Sequence, residues 1–172
     1  MKVETDPDRV AELAKEREES NWAFRRFLKD SDIPSSRIDA SVHALYREVA
    51  GQIDCTKCAN CCKKITPLLT GADIKRLAAH RGLTVAEFTS KFLCKAEDGE
   101  GLMFRSRPCP LLKDNLCTVY DVRPRDCRSF PHLHKRDFVF RLMQAVGNCA
   151  LCPIVFGVYE ALKRELWHRR EW

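Results

Sequence analysis

Apolar residues recur at helical spacing through the first part of the chain. Asp6 followed by Pro7 is a typical helix start, with an N-cap residue and then proline at the first helical position. An apolar stripe over 10–28 is broken by polar residues, and a second stripe covers 38–49. This segment contains no cysteine. We therefore predict that residues 1–50 form a helical extension that packs on the rest of the chain.

The pattern changes after this extension. Residues 54–64 are predicted to form a loop, and two capping signatures, at 70–73 and 84–87, each predict the start of a short helix. Short apolar runs on either side of a polar turn predict a small antiparallel β piece within 101–120. The tail over 154–172 returns to a helical period. The predicted fold class is α+β: a mostly helical single domain with cysteine-bearing loops around a metal centre.

Cysteine is the unusual component of the composition, with ten among 172 residues. The first residues are acidic where a signal peptide needs apolar ones, and no stretch approaches the roughly 18 apolar residues of a membrane span. We therefore expect a cytoplasmic protein with no membrane partner, in a compartment that keeps thiols reduced. In such a compartment, ten cysteines indicate metal binding more than a disulfide framework.

The formal net charge is +6, which raises the question of a nucleic-acid partner. Two four-cysteine centres would add about eight negative charges from thiolates and about four positive charges from metal. Much of the basic excess would then offset the thiolates. Charge alone therefore does not support nucleic-acid binding, and an unidentified protein partner stays open.

The strongest signal is the cysteine-rich run at the start of the second predicted region, residues 51–172. Two-residue gaps return successive sulfurs towards one point, as in ferredoxin clusters and in the CxxC pairs of zinc sites. Because adjacent side chains diverge, Cys61 and Cys62 favour two neighbouring sites or one polynuclear centre. Further ligands must come from downstream, with Cys149 left open and Cys94 interpreted as an apolar helix residue. The predicted metal ligands are Cys55, Cys58, Cys61, Cys62, Cys109, Cys117, Cys127 and Cys152.

Arginine and histidine residues lie near these cysteines in the sequence. Arg123 and Arg128 flank Cys127, where they can stabilise thiolates or, alternatively, bind an anionic cofactor or substrate. His132 or His134 could replace a cysteine as a ligand, although a surface position fits them better. The two arginines are therefore the predicted cofactor-binding residues.

The cysteines and their neighbours resemble the YkgJ-type cysteine-cluster proteins over roughly residues 50–160. The motifs that carry this resemblance are Cys55-x-x-Cys58-x-x-Cys61-Cys62, Cys109-Pro110-Leu111-Leu112, Leu116-Cys117-Thr118-Val119-Tyr120 and Arg123-Pro124-x-x-Cys127-Arg128-x-Phe130-Pro131. These proteins are described as carrying a zinc- or iron-chelating domain, and a related domain occurs in flagellin lysine methylases. The family usually has Pro-Gly after its late cysteine, whereas Ile154 follows Cys152-Pro153 here. Cys94 and Cys149 lie outside the pattern.

The resemblance implies metal binding and supplies no reaction. The leading hypothesis is an accessory or redox protein with one or two cysteine-ligated centres. Iron–sulfur is favoured slightly over zinc by the CxxCxxC run and the Cys-Pro steps. The alternatives are a structural zinc module for protein or RNA contacts and a cluster-dependent protein-modification enzyme. The sequence contains no P-loop, dinucleotide-binding fingerprint or nucleophile elbow.

Overall fold

A computed structural model describes residues 3–96 and 99–167. Helices account for 61% of the structure and the strands form two small antiparallel sheets, which confirms the predicted α+β class. Residues 1–58 and 131–172 belong to one compact unit, here called the helical unit, and 59–130 form a second, the mixed unit. The domain boundary expected at residue 50 stays a prediction.

Ten helices and five strands occur in the described residues. In chain order the helices are α1 Pro7–Glu16, α2 Glu18–Asp30, α3 Ser35–Ala50, α4 Cys55–Cys58, α5 Asn60–Lys64, α6 Gly71–His80, α7 Val85–Phe92, α8 Arg125–Ser129, α9 Leu142–Cys149 and α10 Pro153–Leu166. The strands are β1 Leu68–Leu69, β2 Leu93–Lys95, β3 Leu102–Phe104, β4 Leu112–Lys113 and β5 Leu116–Cys117. Short 3-10 helices occur at Tyr120–Val122 and Phe138–Arg141.

The helical unit is built around the packing of α3 against α10. As predicted, the Asp6 carboxylate accepts the backbone N–H of Asp8 and caps α1. The polar interruption in the first stripe coincides with a break at Arg17, which separates α1 from α2. A side chain at Gly157 of α10 would place its Cβ 3.1 Å from Val49 Cγ1, so glycine permits the close approach of these two helices. The unit therefore has an apolar helical core of its own.

A buried polar network joins α2 to α10 within this core. The Lys163 ammonium donates to Asn21 Oδ1 at 2.6 Å, to Ser20 Oγ at 3.1 Å and to Glu160 Oε1 at 2.8 Å. Lys163 is 3% exposed, and its positive charge is offset by the Glu160 carboxylate, which also pairs with Arg17. Lys163 and Glu160 both lie on α10, so the bonds that link this helix to α2 are those from the Lys163 ammonium to Asn21 and Ser20.

The mixed unit contains the two predicted capping boxes. Thr70 and Asp73 cap α6, and Thr84 and Glu87 cap α7, each through reciprocal side-chain and backbone hydrogen bonds. The strands form a sheet in the order β1-β3-β2 and a separate hairpin of β4 and β5. Asp114 and Asn115 form the hairpin turn with φ of 49° and 64°, the left-handed conformation that a tight two-residue turn requires.

Three local predictions are wrong. Residues 54–64 form the helical turns α4 and α5, since the Asp54 side chain accepts the Thr56 N–H and starts the first turn. Cys94 lies in β2, opposite Met103, because the helix before it ends at Phe92. The strand expected over 117–120 is limited to β5, and a 3-10 helix follows it.

The expected C-terminal helix is present as α10, and its predicted last residues, 168–172, lie outside the described residues. Within the described part of the chain, no helix combines the length and the apolar character needed to cross a bilayer.

Candidate metal centres

All ten cysteines lie in the described part of the chain and none forms a disulfide. They differ widely in exposure: Cys55 is exposed, Cys149 and Cys152 are buried, and the other seven are half-buried. The unit boundary separates them as well. Cys55 and Cys58 belong to the helical unit together with Cys149 and Cys152, whereas the remaining six lie in the mixed unit.

Four thiols of the mixed unit come from segments far apart in sequence. Cys62 lies on α5, and its carbonyl oxygen accepts the backbone N–H of Cys109 at 2.8 Å. Cys109 and Cys117 pack against the apolar core of this unit, and Cys127 lies on α8. The thiols of Cys109, Cys117 and Cys127 are all within electrostatic range of Cys62. The structure thus brings together residues spaced along 62–127.

Backbone N–H groups point at two of these sulfurs. Cys109 Sγ accepts from the N–H groups of Leu111 and Leu112, and Cys117 Sγ accepts from the N–H of Val119. Cys109 lies shortly before β4, and Cys117 is the last residue of β5. Such hydrogen bonds favour the thiolate form, in which cysteine binds metal.

The local charges spread the pKa values of these thiols. Burial, together with the negative charge of Cys62, raises the pKa of Cys109 to about 11 and that of Cys127 to about 12. A hydrogen bond between the Cys61 and Cys62 side chains lowers the pKa of Cys62 to about 7. The positive charges of Arg123 and Lys63 act on Cys62 in the same direction.

This donor set fits a zinc or iron centre. Thiolates brought this close repel one another, which is why each raises the pKa of its neighbours. A cation among them converts that repulsion into attraction and replaces the protons. Cys62, Cys109, Cys117 and Cys127 supply four sulfurs, the number that a tetrahedral zinc site or an iron–sulfur cluster takes.

The segment that leads into α8 is held by two side chains of α6 that the sequence did not reveal. Asp73 is 1% exposed, and its Oδ1 accepts the backbone N–H of Arg125 at 3.0 Å. Arg76 pairs with Asp73 and also donates to the carbonyl oxygens of Val122 and Arg123, both at 3.1 Å. The capping box gave Asp73 a local role, but nothing in the sequence linked α6 to a segment some fifty residues downstream.

The second group of thiols lies in the helical unit. Cys55 and Cys58 lie on the single turn α4, and the charges of both act on Cys152, the N-cap residue of α10. Tyr46 on α3 is half-buried, and the charges of Cys55 and Cys152 both act on its hydroxyl. Burial and these two charges raise the pKa of Tyr46. Tyr46 is a member of this group that sequence reasoning missed, because its helical period marks it only as a core position.

The remaining candidate residues lie in different surroundings. Arg123 stacks over the Tyr120 ring at 3.9 Å and acts electrostatically on Cys62 and Cys117, whereas the Arg128 side chain is exposed. His134 is exposed, with its ring 6.4 Å from that of Tyr46. The predicted ligand and cofactor roles of all these residues stay predictions. Within residues 3–96 and 99–167, no three or more His, Cys, Asp or Glu side chains are arranged as a ready-made metal site.

Comparison with known proteins gives one match. The model of the family CxxCxxCC, described as "Putative zinc- or iron-chelating domain", matches residues 54–152, more than half of the chain. That range contains every cysteine named above. No curated protein and no solved structure matches the chain.

Proposed function

Because the chain belongs to the CxxCxxCC family and is therefore a zinc- or iron-binding protein, we propose that its cysteine thiolates hold the metal as an iron–sulfur centre with an accessory or redox role. The centre of the mixed unit would use Cys62, Cys109, Cys117 and Cys127. The observation that carries this proposal is the convergence of these four thiols from separate segments of 59–130.

Two features of the mixed unit favour iron–sulfur over zinc. Its segment contains a single histidine, His80, which is exposed on α6, so cysteine is the main soft donor that this segment offers. Iron–sulfur clusters take cysteine sulfur almost exclusively, whereas zinc sites often combine cysteine with histidine. The N–H groups of Leu111, Leu112 and Val119, together with the Arg123 charge, are the kind of donors that set the reduction potential of a cluster.

The other predicted ligands are carried into the proposal as well. Cys61 is the hydrogen-bond partner of Cys62, and the thiols of the helical unit are Cys55, Cys58 and Cys152. Arg123 is proposed to bind near the centre as a charge partner of its thiolates, and Arg128 as an exposed contact for an anionic group. A cytoplasmic location is proposed because ten cysteines without a disulfide suit a reducing compartment.

The test is anaerobic purification of the full chain, followed by analysis of iron, zinc and acid-labile sulfide per chain. We expect iron with sulfide, and a visible absorption that bleaches on reduction. Stoichiometric zinc without sulfide would contradict the iron–sulfur centre and indicate a structural zinc site. The packing of Cys109 and Cys117 on the apolar core is the observation that favours this alternative. A chain with neither metal would contradict thiolate binding altogether.

Two variants localise the centre. Cys127→Ser removes one proposed ligand and should lower the metal content of the mixed-unit centre. Cys94→Ser is the matched control, since Cys94 is a half-buried cysteine of the same unit on β2, outside the proposed set. Equal metal loss in the two variants would contradict the assignment of Cys127.

A further inference from the structure

Residues 132–143 of the helical unit present large apolar side chains to solvent next to basic ones. We propose that this segment docks an acidic partner protein, which covers Phe140 and Met143 and places its carboxylates against the neighbouring basic residues. The inference does not depend on whether the cysteines bind metal. It assigns an interaction surface to the helical unit, for which the metal chemistry of the thiols supplies no role.

Two exposed apolar residues define the centre of this surface. Phe140 is the most exposed large apolar side chain of the described residues, at 80%, and Met143 is 57% exposed. Phe140 lies in the 3-10 helix Phe138–Arg141, and Met143 follows three residues later in the first turn of α9. Isolated exposed apolar residues are ordinary, whereas two large ones on consecutive turns indicate an interaction site. Aromatic residues and methionine are also enriched in protein–protein interfaces.

A buried carboxylate of α3 fixes the backbone that leads to Phe140. Asp39 is 8% exposed, and its two oxygens accept the backbone N–H groups of Asp137 at 2.7 Å and Phe138 at 2.9 Å. The Phe138 side chain is buried. The 3-10 helix that carries Phe140 is therefore held at its first residue by a hydrogen bond and by apolar packing.

Arg141 holds the same segment from its other end. Its guanidinium donates to the backbone carbonyl oxygens of Lys135 at 2.7 Å and Asp137 at 3.3 Å, and also to that of Arg136. The His43 ring of α3 contacts the Lys135 oxygen as well, at 3.2 Å. A segment ordered before binding loses little conformational entropy when a partner covers it, which favours affinity.

The charges of this region indicate an acidic partner. Residues 131–159 contain a single acidic residue, Asp137, against three basic ones, Lys135, Arg136 and Arg141. Lys135 and Arg136 are exposed, and the Arg141 hydrogen bonds hold their backbone close to the 3-10 helix. Carboxylates around an apolar contact would complement this arrangement, since complementary charges fix the orientation of a partner and speed its association.

A small cleft in the same region also suits a carboxylate. Its lining includes Arg141, Gln144 and Asn148, whose side chains carry N–H donors. A second copy of the chain fits this surface less well. In a symmetric dimer the same patch faces itself, so the basic residues of the two copies would meet and repel one another.

The test selects peptides that bind the full chain, purified anaerobically, from a phage-displayed library of random sequences. The library is first depleted on the Phe140→Ala variant, which removes peptides that bind elsewhere. Because Phe140 is largely exposed, this variant should fold normally. We expect the selected peptides to combine Asp or Glu with large apolar residues. Selected peptides without acidic residues, or none at all, would overturn the proposal.

Fluorescence anisotropy of the selected peptides, made synthetically, then locates the contacts. Charge reversal by Lys135→Glu with Arg136→Glu should weaken binding by about ten-fold and reduce its salt dependence. Met143→Ala should weaken binding as well. Arg26→Glu with Lys29→Glu is the matched control, since both residues are exposed on α2 of the same unit, and it should leave the affinity unchanged.

Other occupants of the surface have their own signatures. Equal weakening by the two charge-reversal pairs would show a general charge effect and overturn the docking site. Sedimentation that shows a dimer of the wild type and a monomer of Phe140→Ala would assign the surface to a second copy instead. Binding of a single-stranded RNA homopolymer or of phosphatidylserine vesicles that is lost in Phe140→Ala would equally contradict a protein partner. All of these outcomes leave the proposed metal centre untouched.

Discussion

Within the mixed unit, the pKa of one thiol is lowered, whereas the pKa values of two neighbouring thiols are raised. The pKa of Cys62 is lowered to about 7 by its hydrogen bond with Cys61, while burial raises those of Cys109 and Cys127 to about 11 and about 12. At neutral pH the metal-free chain therefore carries one thiol that is readily ionised beside two that keep their protons. Metal is expected to bind Cys62 first and then to displace the protons of Cys109 and Cys127.

This difference predicts proton release on metal binding. Because Cys109 and Cys127 are protonated at neutral pH and bind metal as thiolates, loading should release at least two protons per chain, and affinity should increase as pH rises. Calorimetric titration with Zn²⁺ in buffers of different ionisation enthalpy measures the number directly. Release of fewer protons by Cys127→Ser is the internal check, and an affinity that stays constant between about pH 6 and pH 8 would contradict the prediction.

At the residue scale, the tertiary contacts of some side chains could not be predicted from the sequence. Asp73 was predicted as a cap because its partner Thr70 is three residues away, and its hydrogen bond to Arg125 could not be predicted because it depends on tertiary packing. Tyr46 is a similar case. Its place in a helical stripe is visible in the sequence, but its proximity to Cys55 and Cys152 arises only when α3 packs against α10.

Among the elements, α6 has a positioning role for α8. Arg76 donates to the carbonyl oxygens of Val122 and Arg123, and Asp73 accepts from Arg125, so the backbone before Cys127 is held at three points. None of these side chains contacts the proposed metal as a ligand. Their effect on the centre acts through the orientation of α8, in the way that outer hydrogen bonds orient the ligands of metal sites.

This arrangement predicts that Arg76→Met weakens metal binding without removing a thiol. The variant loses the hydrogen bonds to Val122 and Arg123 and leaves Asp73 without its charge partner, so metal affinity should fall by about ten-fold. Competition with a chromophoric chelator measures this. Arg81→Met, at the exposed end of the same helix, is the matched control and should leave affinity unchanged. Equal affinities for the wild type and Arg76→Met would contradict the positioning role.

The elements that the sequence predicted best are those with local signals. Both capping boxes, the Asp6-Pro7 start and the polar turn at Asp114 and Asn115 are defined by residues within four positions of one another. The turns α4 and α5 were missed because four or five residues are too few to show a helical period. The strand at Cys94 was missed because it has only three residues and is defined by its pairing with β3.

At the scale of the whole molecule, we expect the two units to depend on metal to different degrees. The apolar core of the mixed unit consists of short helices and two- or three-residue strands, and Cys109 and Cys117 are packed against it. The helical unit has longer helices and a core that includes the close contact of α3 and α10. Elements as short as those of the mixed unit have little stability without a cross-link, which a metal supplies.

Chelation is therefore predicted to affect the units unequally. Removing metal should abolish amide hydrogen-exchange protection in 59–130, while amides of α2, α3 and α10 keep most of theirs. Exchange measured by mass spectrometry before and after chelation reports each unit separately. Restoring the metal is the control for reversibility. A uniform loss of protection along the chain would show that metal stabilises both units alike.

The division at Ala59 and Pro131 has a consequence for biosynthesis. The mixed unit is continuous in the chain, whereas the helical unit is completed only by residues beyond 130. A ribosome therefore finishes every cysteine of the mixed unit before it makes Cys152, and domains generally fold as units in the order of their synthesis. The proposed centre of the mixed unit can therefore acquire its metal on the nascent chain, before the helical unit is complete.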